Sequence, residues 1–339
     1  MKKIPITVLT GFLGAGKSTI LNNILEQRND NKLAVIVNEF GDVGIDHQLL
    51  VPIDEAIYEI NEGCICCTVR EDLVTVFYNM VQALQEEKID INHVVIETTG
   101  IADVAPILQT LRQVPMIENY YEVDAVITLV DGVNAAYQIE NYEEARNQII
   151  YADKIFITKT DLISDTALAE VVSLIRSMQQ FIPIENIANG EIAYEKIIGT
   201  KLYNSADIDC SEDAPVVCDC GDEHCHHDHE HHHHHEHDVQ SIALQTNKRM
   251  NIERFDYWLN WLLDLYNFDL LRYKGILCFA DTDEEMVMQG VLTNATIDTN
   301  YKKIPSEPQS TIVLIGKHLD EEKIREAFET MVLMDVETE

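Results

Sequence analysis

Gly11-Phe12-Leu13-Gly14-Ala15-Gly16-Lys17-Ser18 decides the fold. Residues 4–10 before it are β-branched and mostly apolar, and residues 17–27 after it have helical spacing. The octet satisfies G-x-x-x-x-G-K-[ST] at every fixed position, in the strand-then-helix context that motif requires. Glycines let the backbone wrap close to a phosphate, and the free N–H groups at the helix start point at the anion. Gly11, Gly14, Ala15, Gly16, Lys17, Ser18 and Thr19 are therefore the candidate nucleotide cradle. Lys17 is expected to act catalytically by reaching the β- and γ-phosphates, with the Ser18 hydroxyl on Mg2+.

Outward from the loop, strand-like runs at 33–38, 93–98, 125–131 and 154–158 alternate with helical stretches such as 69–86 and 168–179. A further strand is expected at 182–187. This alternation predicts an α/β fold over residues 1–200: a P-loop NTPase domain with a mainly parallel sheet covered on both faces. Residues 201–238 lose periodicity and fill with Asp, Glu, Cys and His, so they read as a disordered metal-binding linker. Residues 239–335 read as a small α+β domain, with strands at 240–246, 275–280, 286–292 and 311–316 and helices at 252–268 and 321–333.

Three further motifs fall at strand ends. Thr158-Lys159-Thr160-Asp161 offers a carboxylate, Asp161, that accepts both guanine N1–H and N2–H2, and a Lys159 stem to lie on the base; adenine has no such donor pair. Many guanine sites carry Asn where Thr158 stands. Glu97-Thr98-Thr99-Gly100 places Glu97 where a second acidic residue meets Mg2+ or its water shell, and Gly100 where an N–H meets the γ-phosphate. Asn38-Glu39-Phe40-Gly41 opens a Gly-rich stretch placed like a first switch loop. No residue identifies itself as the water-positioning group, and no arginine finger is evident, which implies slow hydrolysis.

Cys64-Ile65-Cys66-Cys67 puts three sulfurs within four residues, just ahead of a Thr68/Glu71 capping box. A helix dipole contributes about 0.3–1 kcal/mol, a structural zinc about 10–16 kcal/mol, so metal is the stronger reason for the cluster. Cys64, Cys66 and Cys67 are the candidate zinc thiolates, with Glu39, Asp42 and His47 near enough in sequence to complete a tetrahedron. A redox pair or plain core packing are the competing readings. The linker adds Cys210, Cys218, Cys220, Cys225 and ten histidines between His224 and His237, a composition for loose, exchangeable metal sites.

The balance of 24 basic against 59 acidic residues, −35 overall, repels phosphate backbones and anionic membranes and suits the handling of cations. Met1-Lys2-Lys3 and the apolar run behind it imitate a signal peptide, but no small-residue cleavage site follows and the run enters the Gly-rich loop. No stretch approaches the ~18 apolar residues of a membrane span. The expectation is a cytoplasmic protein that binds neither nucleic acid nor membrane, its eight cysteines kept as thiols.

Together, Gly11–Ser18, Asn38-Glu39-Phe40-Gly41, Gly63-Cys64-Ile65-Cys66-Cys67, Glu97-Thr98-Thr99-Gly100 and Thr158-Lys159-Thr160-Asp161 resemble the CobW-type P-loop GTPases of the metal-homeostasis branch. Arg272-Tyr273-Lys274-Gly275-Ile276 is similar to that family's C-terminal hallmark, and Thr158 in place of Asn is similar to the family pattern. The resemblance implies a GTP-hydrolysing metallochaperone with GTP, Mg2+ and Zn2+ as ligands, Co2+ remaining open. It implies a client apo-metalloenzyme as partner, with a GTP-dependent homodimer also open. A cobalt chaperone for cobalamin synthesis, a zinc store without turnover and a small-molecule kinase are the alternatives.

Overall fold

The computed structural model describes residues 2–27, 32–39, 57–61, 68–203 and 239–333. Seven strands, β1 (Ile4–Gly11), β2 (Leu33–Glu39), β3 (Ile57–Asn61), β4 (His93–Glu97), β5 (Tyr121–Asp131), β6 (Lys154–Thr158) and β7 (Ile184–Asn186), form one sheet in the order β3-β2-β4-β1-β5-β6-β7. Every pairing in it is parallel. Strands sandwiched between layers bury both faces and so read as continuous apolar runs, as Val94, Val95 and Ile96 do in β4, which is buried along its whole length. On one face α1 (Lys17–Gln27) inserts Ile20, Leu21, Ile24 and Leu25 among Leu9, Val35, Val95 and Ile127. On the other, α2 (Thr68–Gln85) and α3 (Val104–Gln113) cover Ile6, Val8, Ile36 and Ile96. The helices α4 (Pro115–Tyr120), α5 (Ala135–Asn141), α6 (Glu143–Ile150) and α7 (Asp165–Met178) complete this part of the fold. Because all strands run one way, the residues that end them, among them Gly11, Glu97, Asp131 and Thr158, share one edge of the sheet.

A second, antiparallel sheet has the order β11-β10-β9-β12-β8, from β8 (Val239–Thr246), β9 (Leu270–Leu277), β10 (Glu284–Val291), β11 (Asn294–Lys303) and β12 (Ser310–Lys317). One face packs on α8 (Ile252–Leu265) and α9 (Glu321–Phe328), through Phe255, Trp258, Leu262, Ile324 and Phe328. The other contributes Val239, Leu271, Val291, Val313 and Ile315 to the same apolar cluster as Tyr151 and Tyr203 of the first unit. At the centre of this junction Asp153 accepts hydrogen bonds from Arg272 and Lys274. Arg272 also donates to the Tyr151 carbonyl, and Lys274 to the Leu202 carbonyl at 3.2 Å. The Arg-Tyr-Lys alternation of β9 is thus a two-faced device. Arg272 and Lys274 turn to the first unit, while Tyr273 joins the core beneath the second sheet. Burial pushes the Lys274 ammonium down to about 8, with Asp153 opposing that shift.

Several elements depart from the sequence reading. The strand expected at 275–280 begins at Leu270, so the charged Arg272 and Lys274 lie inside it. β3 and the polar edge strand β11 were not expected, since an edge strand needs no apolar run. The closing helix is α-helical to Phe328 and continues as a π turn over Glu329–Leu333. Among the described residues no helix is long and apolar enough to cross a membrane.

A buried polar network centres on Thr7 of the sheet. The Thr7 hydroxyl donates to Asp124 Oδ2 at 3.1 Å, and His93 Nε2 lies 2.8 Å from it. Asp124 also accepts the Thr200 and Lys201 N–H groups, fixing residues 200–201 against the sheet. Burial lowers His93 to about 4, with Asp124 opposing. The unfolded chain therefore takes up a proton below the ordinary histidine value of 6.5 that the folded chain refuses until about pH 4. Stability contributed by neutral His93 is present above pH 6.5 and is lost as pH falls, by on the order of 3 kcal/mol across that window. Urea unfolding of the native chain and a His93→Gln variant between pH 7.5 and 4.5 checks this. The native chain should lose more of its stability than the variant on acidification, and parallel profiles would rule the assignment out.

Candidate functional site: the nucleotide edge of the parallel sheet

The loop after β1 is shaped by Gly14 and Gly16, which adopt φ of +80° and +92°, values that side chains resist. Ala15 N–H donates to the Phe12 carbonyl at 3.1 Å, closing the turn that starts α1. Lys17 Nζ folds over the loop and donates to the carbonyls of Gly11 (2.8 Å) and Phe12 (3.4 Å). Ser18 Oγ donates to Glu97 Oε1 at 2.9 Å, so the two expected Mg2+ residues, 79 positions apart, are adjacent. Two hard oxygen donors side by side, beside a Lys and a glycine-shaped loop, fit a Mg2+-bound triphosphate. Thr98 hydroxyl donates to Thr10 Oγ1 (2.8 Å), tying the ends of β4 and β1.

The loop behind β4 is pressed onto the phosphate loop. A Cβ at Gly100 would lie 2.5 Å from Leu13 Cδ2 and 2.7 Å from Leu13 N, so only glycine fits. From the opposite side the buried Gln148 of α6 donates through Nε2 to the carbonyls of Gly100 (3.1 Å) and Ala102 (3.2 Å). Gln148 carried no signal in the sequence.

In the motif expected to read the base, Thr158, Lys159 and Asp161 make different contacts. Asp161 is exposed, and its Oδ1 accepts the Asn189 N–H at 3.0 Å. Lys159 sits at φ +57° and donates to Asp131 Oδ2 at 2.8 Å. Burial alone would raise the Asp131 carboxyl, but hydrogen bonds from Lys159, Asn134 and the Val133 N–H outweigh it and hold the group below the usual carboxylate range. Thr158 points inward, donating to the Ala15 carbonyl (2.9 Å) and to Val130 O (3.3 Å). It braces the phosphate loop. Asp131 and Asn189 were missed in the sequence; Asp131 ends a strand that was expected, which is the position such a residue would occupy.

Cys64, Cys66, Cys67, Asp42, His47 and the His-rich tract lie outside the described residues, as does the side chain of Glu39. Cys278 is buried in the second unit. Among the described residues no group of three His, Cys, Asp or Glu side chains is placed to hold a metal ion.

Residues 5–185 match the CobW/HypB/UreG nucleotide-binding domain, and residues 239–332 match the cobalamin synthesis protein CobW C-terminal domain. The chain belongs to the CobW family. It is 34% identical over 329 residues to the zinc chaperone YjiA of Escherichia coli, covering 97% of this chain and 98% of that protein. It is 30% identical over 374 residues to the zinc chaperone CobW of Pseudomonas aeruginosa, with 97% and 92% covered. The crystal structure of the Zn(II)-bound YjiA GTPase from E. coli superposes with a TM-score of 0.75 at 28% identity, over 98% of this chain and 99% of that one.

The Thr158 brace is testable. Thr158→Val keeps the shape and leaves the Ala15 carbonyl without that donor, a loss of about 1–3 kcal/mol for a buried acceptor. Unfolding free energy should fall by that amount and fluorescent GDP should bind more weakly. Unchanged GDP affinity would mean that the loop does not rely on Thr158.

Proposed function

We propose that this chain is a GTP-hydrolysing metallochaperone that binds zinc and delivers it to a client apo-metalloprotein. The observation that carries the reading is the 2.9 Å contact between Ser18 and Glu97 beneath a Lys17-bearing glycine loop. Gly11, residues 14–19 and Gly100 hold the phosphates. Lys17 neutralises charge that develops on the γ-phosphate, and Ser18 and Glu97 hold Mg2+ directly or through its water shell. Mg2+ held there would supply charge neutralisation to the phosphates. Asp161, aimed by Asn189, accepts the two guanine donors, and the Lys159 stem covers the base.

Zinc is the cargo. Cys64, Cys66 and Cys67 are assigned as its thiolates, with Glu39, Asp42 and His47 as further candidates. Topology supports coupling to the nucleotide: the thiol run joins the end of β3 to α2, and β3 is separated from β4, with Glu97, by β2 alone. Similarity to zinc chaperones favours zinc over cobalt as the cargo. Leu13, Val133 and Tyr137, exposed beside the phosphate loop, offer apolar surface for a client or, with GTP bound, a second copy of the chain. A reducing, cytoplasmic setting suits the thiolates.

Two measurements test the reading. Asp161→Asn should shift nucleotide preference from GTP toward xanthosine triphosphate, the loss for GTP being on the order of 2–4 kcal/mol, two hydrogen bonds to a charged group. Unchanged competition between the two nucleotides would remove Asp161 from the base site. Cys66→Ser should abolish the tightest zinc site in a chelator titration while GTP hydrolysis persists, and deleting residues 210–238 should lower zinc stoichiometry but keep that site. If the deletion alone removes the tight site, the thiol run is not the cargo site.

A further inference from the structure

The helix α6 and the residues that flank it contact the phosphate loop, the loop behind Glu97 and the second unit. At its start, the ring of Tyr142 stacks on Phe12 of the phosphate loop at 4.7 Å between centroids. Within it, Gln148 holds the Gly100 and Ala102 carbonyls, and its own carbonyl accepts the Thr128 hydroxyl at 2.7 Å. At its end, the Tyr151 carbonyl accepts Arg272, and Asp153, two residues on, accepts Arg272 and Lys274. Its first residue, Glu143, pairs with Lys317 of β12 at 3.0 Å. Both ends of one eight-residue helix are therefore fastened to the second unit, while its middle is fastened to the loop behind Glu97.

The fastenings differ in kind. The Gly100 loop is caught between Leu13 and Gln148, so a displacement of Gly100 must be taken up by α6 or break the buried hydrogen bond from Gln148 to Gly100 and strain the part-buried one to Ala102. The charged contacts at the other end transmit a displacement because Asp153 is buried, and a buried carboxylate cannot leave its cations cheaply. The junction also has room to rearrange: a cavity of about 50 Å3 lies against Asp153, Arg272 and Lys274, bounded by Gln179, Phe181 and Val313.

We propose that Gln148 is a positioning residue for the Gly100 loop and that α6 relays the position of that loop to the second unit through Tyr151, Asp153, Arg272 and Lys274. The inference rests on the reading that Gly100 meets the γ-phosphate. GTP and GDP would then set two positions of α6, and with them two arrangements of the junction with β9.

Hydrogen exchange on the full chain, with a non-hydrolysable GTP analogue and with GDP, tests the relay. The expected result is a nucleotide-dependent difference at residues 98–102 that extends through 148–153 to β9. In Gln148→Met, which keeps the side-chain length and removes both donors, the difference should remain at 98–102 and vanish at β9. The ratio of analogue to GDP affinity should change roughly 2- to 30-fold in this variant and in Arg272→Met, the second lying outside the nucleotide loops. A difference confined to 98–102 in the native chain overturns the relay and leaves the Gly100 reading standing. No difference at 98–102 overturns both. Because the exchange experiment is read on the native chain, a failure of either variant to fold leaves it decisive.

Discussion

Asp153 is the charge on which the two-part architecture turns. It sits one residue before β6, with one carboxylate oxygen accepting the Val126 N–H at 2.7 Å and the other facing Arg272 and Lys274. Three polar partners from two sheets meet at a carboxylate with no exposure. Such a cluster contributes little net stability against a well-packed apolar substitute, but removing one member strands the others at about 3–5 kcal/mol. In the observed register of β9, Arg272 reaches the Tyr151 carbonyl and Lys274 the Leu202 carbonyl while both face Asp153. The apolar residues around the junction supply attraction without choosing that register.

The parallel sheet supplies the other constraint. Each crossover returns the chain to the same end, so successive strand ends deliver Gly11, Glu97, Asp131 and Thr158 to one edge regardless of their separation in sequence. The chemistry is then completed by contacts between loops. Thr158 braces Ala15, Ser18 meets Glu97, Lys159 meets Asp131, and Asn189 aims Asp161. The loops proposed to serve phosphate, metal and base are joined to one another by these contacts. β3 ends on that same edge, two strands from β4, and the thiol run follows it in sequence.

The His-rich tract belongs to the stretch of sequence between the two units. It follows residues 200–203, which are held by Asp124 and, through the Tyr203 carbonyl, by Gln289 of the second sheet. Residues 200–203 are thus a clamped point at the junction between the two units. Tyr203 lies under both cations of that junction, its ring centre 5.8 Å from Arg272 and from Lys274.

The parallel core and the phosphate loop were legible from residues alone because their signals are local: apolar runs bounded by glycine, and a fixed spacing of Gly, Lys and Ser. Glu97, Gly100 and Asp161 were legible because they stand at strand ends, where the sheet must deliver them. The edge strand β11 was not, since half its surroundings are solvent and it needs no apolar pattern. Nor were Asp131, Gln148, Asn189 and Asp153. Each acts through a partner between 28 and 121 residues away, and no periodicity encodes a pairing at such range. The kinds of side chain available could be read from short windows, because residue type and local backbone preference are local properties. Which groups meet could not, because a buried donor finds its acceptor through the packing of whole sheets and helices.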